Sequence, residues 1–436
     1  MAAFDGTARR FDARCLANAA CAPVAGARPR VLTSPERGVS PVPVLSRRAF
    51  ALGVCATALP RPVLAQGFDG WVAGFRTRAR AAGISQRTLD AGLARLSYLP
   101  KVIANDRKQA EVARPLGDYV ATAASPARIQ GGQRALKRHG RTLARIERQT
   151  GVPREVVVAI WGMESSYGGF RGNLPVMSTL ATLAYEGRRR ALFEDELLAA
   201  LRILQAGEIQ AGQMTGSFAG AMGHTQFMPS TYLANAVDFD GDGRRDIWGD
   251  APGDALASTA ALLARNGWQK GQPWAIEVLL PQGFDLALTG RIYPRATRDW
   301  RDMGVRAADG GRLPDHGAGA LILPAGPEGP VFLIYRNFHV LKTYNYADSY
   351  VIGAGHLADR LAGSGPIRAG YPRQPWGMSD AERVELQKRL NAGGYGAGNP
   401  DGVIGEKGRA AIRAYEQGNG LRVTGVPSRA LLDRLR

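Results

Sequence analysis

The stretch VVVAIWGMESSYG, at residues 156–168, joins an apolar run to a single carboxyl group. Pro153 stands at a plausible first helical position, and the apolar run predicts a helix that is buried on most sides. Glu164 lies at its end. Burial disfavours the charged form of a carboxyl group and raises its pKa, as a general acid near neutral pH requires. The alternative is a helix-terminal glutamate that reaches solvent or caps a neighbouring helix.

The composition is that of a globular protein with room for two or three domains. The 436 residues are 45% apolar and 8% aromatic. The formal net charge is +18, but the basic residues are spread along the chain, without a compact run interleaved with aromatics. This pattern argues against nucleic acid as a partner. It suits a polyanion such as a cell-wall polymer or an anionic membrane surface, or it has no meaning for partners.

The first 65 residues form a predicted presequence. The motif SRRAF, at residues 46–50, precedes a mildly apolar run, and small residues up to Ala65 suit a signal peptidase. The paired arginines resemble a twin-arginine signal, and a Sec signal with an accidental arginine pair is the alternative. No other stretch is long or apolar enough to span a bilayer. We therefore expect an exported, periplasmic protein without a transmembrane segment after cleavage.

Cysteine usage agrees with this boundary. Cys15, Cys21 and Cys55 all fall within residues 1–65, so the mature chain would contain no disulfide. Cys55 is a weak candidate for lipid attachment, because the preceding Val54 is not the small residue that such a site favours.

Apolar residues recur at helical spacing between residues 68 and 150, which predicts packing helices. Tyr119 in this region is either a residue of a substrate groove or, like most aromatics at helical spacing, part of the core.

A second motif, SFAGAMGHTQFMPS, occupies residues 217–230. Its small residues let the backbone approach a ligand closely, and Gln226 offers both a donor and an acceptor, as a sugar amide would require. The alternative is a turn that packs helices together.

The two motifs together resemble the membrane-bound lytic murein transglycosylase B family, whose catalytic domain is lysozyme-like. The likeness extends over about residues 68–361. It implies that Glu164 is the single catalytic acid and base and that glycan strands of peptidoglycan are the substrate. His224 falls where the motif varies, and we interpret it as incidental. The resemblance implies groove positions at Ser217, Gln226, Phe227 and Met228.

The stretch DFDGDGRRDIW, at residues 238–248, has the spacing of an EF-hand calcium loop. The carboxylates at positions 1, 3 and 5 are Asp238, Asp240 and Asp242. Gly249 takes position 12 in place of glutamate, so closure would come from Asp250 or Asp254, and the family resemblance favours Asp254. The alternative is a turn held by its own side-chain hydrogen bonds.

Strand-like segments at residues 274–280, 320–323 and 331–335 predict a small sheet. Tyr344, Asn345 and Tyr350 follow it. They offer stacking faces and an amide to a saccharide, or they are core residues. The family that this sequence resembles has a similar segment rich in Asn and Tyr, after which a final helix closes the domain.

The tail divides into a predicted linker, residues 364–377, and a segment that resembles the three-helix peptidoglycan-binding module, residues 378–436. The module commonly has Phe-Gln where this chain has Tyr415 and Glu416. We expect the tail to fold alone and to raise the local enzyme concentration on the wall.

These observations predict a mainly α (α+β) protein. A lysozyme-like helical catalytic domain with a small β subdomain spans residues 66–363, and a three-helix module follows. By resemblance, Glu164 protonates the oxygen between N-acetylmuramic acid and N-acetylglucosamine and then deprotonates the C6 hydroxyl, which gives a 1,6-anhydro end without water. The alternatives are a hydrolytic muramidase and a noncatalytic wall-binding protein. Complexes of cell-wall synthesis or division are candidate partners.

Overall fold

The computed structural model describes residues 67–109 and 114–436. The predicted presequence, its cleavage site and the three cysteines lie outside the described residues. Within the described part of the chain, no helix combines the length and apolar character needed to cross a membrane.

The first part of the described chain is helical. Its helices are α1 (Phe68–Ala81), α2 (Gln86–Leu93), α3 (Pro100–Gln109), α4 (Leu116–Ala123), α5 (Pro126–Arg138), α6 (Gly140–Thr150), α7 (Arg154–Ser165), α8 (Val176–Glu186), α9 (Arg190–Gln205), α10 (Pro229–Asn235) and α11 (Gly253–Arg265). Two short strands, β1 (Leu174–Pro175) and β2 (Thr215–Gly216), pair antiparallel in front of α8.

The helix α7 lies at the centre of this body. All side chains from Val156 to Trp161 are buried, and α7 packs against α5, α6 and α11. A helix that is apolar on every side must have neighbours on every side. The predicted buried helix is therefore present, although Pro153 caps it and Arg154 is its first residue.

The β subdomain follows α11. Its strands are β3 (Ala275–Leu279), β4 (Arg295–Ala296), β5 (Arg306–Ala307), β6 (Ala318–Ile322) and β7 (Val331–Ile334), and its helix is α12 (Thr297–Asp302). The five strands pair antiparallel in the order β4-β6-β7-β3-β5. The subdomain has a separate hydrophobic core, in which Trp300 is fully buried among side chains such as Leu321 and Leu333.

The chain then returns to the helical body through α13 (Arg336–Tyr344) and α14 (Asp348–Leu361), and α14 packs against α7 and α4. The final elements are α15 (Asp380–Ala392), α16 (Glu406–Gly418) and α17 (Arg429–Leu435), which enclose a third core. The predicted mainly α fold with a small sheet and a three-helix module is confirmed.

Glu416 has a structural role in this module. It is buried, and its carboxylate accepts hydrogen bonds from the backbone N–H groups of Thr424 and Gly425, at 2.6 and 2.8 Å. The residue that departs from the common module sequence therefore stabilises the turn before α17.

The tail is packed against the β subdomain, which differs from the expectation that it acts as a separate unit. Glu277 on β3 accepts hydrogen bonds from the backbone of Arg368 and Ala369 in the predicted linker, both at 2.8 Å. Arg409 on α16 is 5% exposed and donates to both the carbonyl and the hydroxyl oxygen of Thr289, at 2.9 Å each. A buried guanidinium group requires such acceptors, and these lie in the β subdomain.

We predict that Arg409→Met lowers the free energy of unfolding by about 1–3 kcal/mol, because the buried acceptors of Thr289 lose their donor. Arg422→Met is the matched control, since Arg422 pairs with Asp285 at the exposed edge of the same interface. This control should cost about 0.5 kcal/mol or less. Urea unfolding of both full-length variants measures the difference, and equal losses would contradict a buried anchor.

Candidate active site

The last turn of α7 presents Glu164, which is half-buried, at the surface of the helical body. The chain then reverses through Ser166 and Tyr167, both in the left-handed region with φ of 50° and 62°. The reversal folds Tyr167 back over α7, where a Cβ at Gly162 would lie only 2.6 Å from the tyrosine ring. The Tyr167 hydroxyl donates to the carbonyl oxygen of Arg128 on α5 at 2.6 Å. Gly162, the first glycine in GMESSYG, thus leaves room for the turn that ends the helix just after Glu164.

Tyr350 is the direct partner of Glu164. Its hydroxyl donates a hydrogen bond to Oε1 of Glu164 at 2.5 Å. Burial raises the pKa of Glu164 to about 7, while the hydrogen bond from Tyr350 acts in the opposite direction. The carboxyl group is therefore largely protonated below neutral pH and exchanges its proton near neutrality, which suits a group that acts as acid and then as base.

Three phenol groups surround this carboxyl. Burial, and after it the charge of Glu164, raises the pKa of Tyr119, Tyr344 and Tyr350. Tyr344 and Tyr350 are stacked, with ring centroids 6.4 Å apart and an angle of 6° between the planes. The structure thus brings three of the predicted groove tyrosines to the one acid, although they come from α4, the end of α13 and α14.

The loop at residues 217–228 forms the adjoining wall. Gln226 has a φ of 52°, and its Nε2 donates to the carbonyl oxygens of Arg171 and Gly223 at 3.0 and 2.8 Å. Both amide protons are used, so its Oε1 is the atom left for a ligand. Ser217 Oγ accepts from the backbone N–H groups of Ala219 and Ala221, which leaves its own proton available.

The same loop supports the tyrosines. Phe227 is buried, with its ring centroid 6.0 Å from that of Tyr344, and the neighbouring Met228 is half-buried. The Tyr344 hydroxyl donates to the backbone carbonyl of Thr225. Asn345 is exposed, and its Oδ1 accepts from the backbone of Ala347 where α13 ends.

His224 has a role that sequence analysis missed. The residue is 4% exposed, and its Nδ1 accepts a hydrogen bond from Trp161 Nε1 at 3.2 Å. Nε2 lies 2.7 Å from the carbonyl oxygen of Gly249, which it reaches as the donor in this tautomer. Ser165 Oγ donates to the His224 carbonyl oxygen at 2.5 Å. The histidine thus connects α7 to the loop at residues 217–228. The available sequence signal was its place in GHT, among residues that are buried.

The predicted calcium loop brings three carboxylates together. One oxygen from each of Asp238, Asp240 and Asp242 lies within 4.8 Å of the others, and all three residues are exposed. Gly241 and Gly243 adopt φ of 84° and 90°, which allows both backbone N–H groups to donate to Asp238. An all-oxygen, acidic donor set of this kind fits a hard cation such as calcium.

Asp254 lies beneath this loop, outside the cluster of three. It is buried, and its two oxygens accept from the backbone N–H groups of Phe239 and Asp246 at 2.9 and 2.8 Å. Asp250 faces away and pairs with Arg171 at 3.3 Å. Asp246, which sequence analysis did not consider, accepts from the backbone of Trp248 and Gly249 and shapes the end of the loop.

A cavity of about 1100 Å³ adjoins the groove at Arg171, Gly172 and Gly223. Two of these residues supply the carbonyl oxygens that hold Gln226. The cavity extends to the ends of α2 and α9 and has a polar lining.

Comparison with known proteins shows the family to which the chain belongs. Residues 67–359 match the family described as transglycosylase SLT domain, and residues 379–435 match the family described as putative peptidoglycan binding domain. The chain belongs to the transglycosylase SLT domain family. Membrane-bound lytic murein transglycosylase B of Escherichia coli is 30% identical over 245 residues, which cover 55% of this chain. The matched region spans 65% of the length of that relative.

Solved structures show the same SLT fold. SltB3 from Pseudomonas aeruginosa, in complex with NAG-anhNAM-pentapeptide, is 47% identical, with a TM-score of 0.77 and coverage of 85% of this chain and 100% of that one. The Escherichia coli lytic transglycosylase Slt35, in complex with calcium, is 27% identical, with a TM-score of 0.57 and coverage of 67% and 92%. The resemblance seen in the two sequence motifs is confirmed.

We predict that Tyr350→Phe moves the alkaline limb of the pH–rate profile to higher pH. Loss of the hydroxyl removes a bond that stabilises the charged Glu164, so the pKa of Glu164 should rise by about one unit and the acid should stay protonated longer. Turnover should also fall, by about tenfold. Tyr98→Phe is the matched control, because Tyr98 donates to Glu186 elsewhere on the surface. A limb that stays in place in Tyr350→Phe would remove Tyr350 from the tuning of Glu164.

Proposed function

We propose that this protein is an exported lytic murein transglycosylase. It would cleave the β-1,4 bond between N-acetylmuramic acid and N-acetylglucosamine in peptidoglycan and leave 1,6-anhydro ends. The observation that carries the proposal is the half-buried Glu164, whose pKa of about 7 is set by burial and by the hydroxyl of Tyr350. Membership of the SLT domain family and the ligands named for SltB3, NAG-anhNAM-pentapeptide and NAG-NAM-pentapeptide, support it.

In this proposal Glu164 gives its proton to the bridging oxygen as the bond from that oxygen to C1 of N-acetylmuramic acid breaks. N-acetylglucosamine then leaves with a free hydroxyl. The sugar's acetamide stabilises the positive centre at C1, and the C6 hydroxyl attacks C1 while its proton returns to Glu164. Acid and base are the same group, so the enzyme ends as it began.

The surroundings of Glu164 support this mechanism over hydrolysis. A hydrolytic muramidase usually places a second carboxylate near the acid. The influences on the Glu164 pKa are burial and a tyrosine hydroxyl, and the neighbouring titratable groups are phenols. The proposed groove residues are Ser217, Gln226, Phe227, Met228, Tyr119, Tyr344, Asn345 and Tyr350.

We predict that Glu164→Gln lowers turnover on purified sacculi by about 10²- to 10⁴-fold, the usual contribution of a general acid and base. Glu155→Gln, in the first turn of the same helix, should retain activity, since Glu155 pairs with Arg154 at the surface. Circular dichroism of both variants controls for folding. Near-normal activity in a folded Glu164→Gln protein would contradict the proposed role.

Mass spectrometry of the released wild-type products decides between the two reactions. An anhydro end is lighter by one water than the reducing end left by hydrolysis. Anhydro products support the transglycosylase, reducing ends would establish a muramidase, and sedimentation with sacculi without cleavage would indicate a wall-binding protein.

The loop at residues 238–248 is the proposed calcium site. Asp238, Asp240 and Asp242 would supply ligands, and the Escherichia coli lytic transglycosylase Slt35 has been solved with calcium. Asp254 is the proposed closing ligand, since each of its oxygens accepts one backbone bond and retains a second lone pair. The role of the ion would be structural, because it would fix the loop next to Trp248 and Gly249.

We predict that calcium raises the melting temperature of metal-free protein, by mass action on the folded state. Asp240→Asn should reduce this increase, because it removes one charge from the cluster. Asp250→Asn is the control, since Asp250 faces Arg171, and it should respond to calcium as the wild type does. An unchanged melting temperature on readdition of calcium to chelated wild-type protein would argue against the site.

The periplasm is the proposed location, on the basis of the predicted signal and of a peptidoglycan substrate. Residues 379–435 would hold the enzyme on the wall, and complexes of cell-wall synthesis or division remain proposed partners.

A further inference from the structure

Three consecutive residues, Thr289 to Arg291, connect the C-terminal module to the active site. Thr289 is fully buried and accepts two hydrogen bonds from Arg409 of α16. Gly290 has a φ of 128°, and a Cβ at this position would lie 3.7 Å from Oε2 of Glu406, the first residue of α16. The module thus binds Thr289 and lies beside Gly290, the two residues that immediately precede Arg291.

The Arg291 side chain contacts the two helices that carry Tyr344 and Tyr350, α13 and α14. It forms an ion pair with Asp348, the first residue of α14, and its side chain is 15% exposed. Its guanidinium carbon lies 5.7 Å from the ring centroid of Phe338 on α13. Lys342 Nζ approaches the other carboxylate oxygen of Asp348 at 2.6 Å. Ion pairs shielded from water in this way are weakly screened and hold a fixed geometry better than exposed pairs do.

Asp348 lies two residues before Tyr350. Both belong to the first turn of α14, so a shift of Asp348 moves the backbone that carries the tyrosine. Tyr350 is 6% exposed, and its hydroxyl reaches Glu164 at 2.5 Å. Hydrogen bonds of this length depend steeply on position. A small rotation of the first turn would therefore weaken the bond that tunes the acid.

We propose that Arg291 is a positioning residue for the reaction: the docked module holds residues 289–291, Arg291 fixes Asp348, and Asp348 sets the hydroxyl of Tyr350 against Glu164. The inference rests on the proposed transglycosylase function. It gives the C-terminal module a second effect, on the rate of bond cleavage itself. That effect would remain on short soluble glycan chains, for which wall affinity does not matter.

A positioning role differs measurably from a structural one. If Arg291 only stabilised the fold, its loss would lower the amount of active enzyme equally at every pH. If it sets Tyr350, its loss weakens a bond to the charged carboxyl, and the alkaline limb moves to higher pH. The titratable groups that face Glu164 are Tyr119, Tyr344 and Tyr350, while Arg291 and Lys342 face Asp348. The limb thus reports on Glu164 and its tyrosines.

The experiment compares full-length wild-type protein with Arg291→Gln, Asp348→Asn and Arg422→Gln on short soluble glycan chains across the pH range. Arg291→Gln and Asp348→Asn should lower kcat by about tenfold, with KM changed by less than about threefold, as expected when an interaction made chiefly in the transition state is lost. In both variants the alkaline limb should move to higher pH, as in Tyr350→Phe. Arg422→Gln breaks an exposed pair of the same interface and should leave the limb in place.

An alkaline limb at the wild-type position in folded Arg291→Gln would overturn the inference, whatever the loss of rate. If Arg291→Gln fails to fold, Asp348→Asn decides by the same criterion, because asparagine keeps a polar side chain of the same size at the start of α14. Arg409→Lys extends the test to the module: a limb shifted in the same direction supports the coupling, and an unshifted limb rejects the part that involves the module. Failure of the proposed function would be visible separately, as wild-type protein that yields no anhydro product.

Discussion

The hydrogen bond between Tyr350 and Glu164 joins residues 186 positions apart, and the architecture around it serves to make that contact. Glu164 lies in the last turn of the largely buried helix α7, and Tyr350 lies in the first turn of α14, which packs along it. Burial raises the pKa of the carboxyl group, and one hydroxyl limits the rise. A single group with a pKa near neutrality can give and take a proton at similar cost, which is the requirement of the proposed mechanism.

The connections around this pair bind separate segments into one unit. His224, in the loop at residues 217–228, links this loop to α7 through Trp161 and to the end of the aspartate-rich loop through Gly249. Phe227 and Thr225 connect the groove loop to Tyr344. An ion bound by the aspartate-rich loop would therefore act on the groove through backbone and side-chain contacts, without taking part in the chemistry.

The packed C-terminal module changes how the two matched families are related in this chain. A tethered wall-binding module would affect only the local concentration of substrate. In this chain the buried Arg409 anchors the module by its hydrogen bond to Thr289, so the module packs directly against the β subdomain. The proposed binding of the wall by such a module and the proposed catalysis at Glu164 would then be connected through the protein, and substitutions in one domain are expected to affect the other.

The sequence by itself determined what depends on local pattern: the mainly α fold with a small sheet, the buried helix that ends at Glu164, the aspartate spacing and the three-helix tail. Helical periodicity, glycine turns and ligand spacing are properties of neighbouring residues, so they can be read without a structure. Only the tertiary structure decided which distant residues meet. It brought Tyr119, Tyr344 and Tyr350 to one carboxyl, made His224 a connector and placed Asp254 beneath the loop. It also showed that the segment predicted as a linker, residues 364–377, is bound to the β subdomain through Glu277. Contacts of this kind depend on how apolar faces and buried polar groups are paired across the whole chain, and no local pattern encodes that pairing.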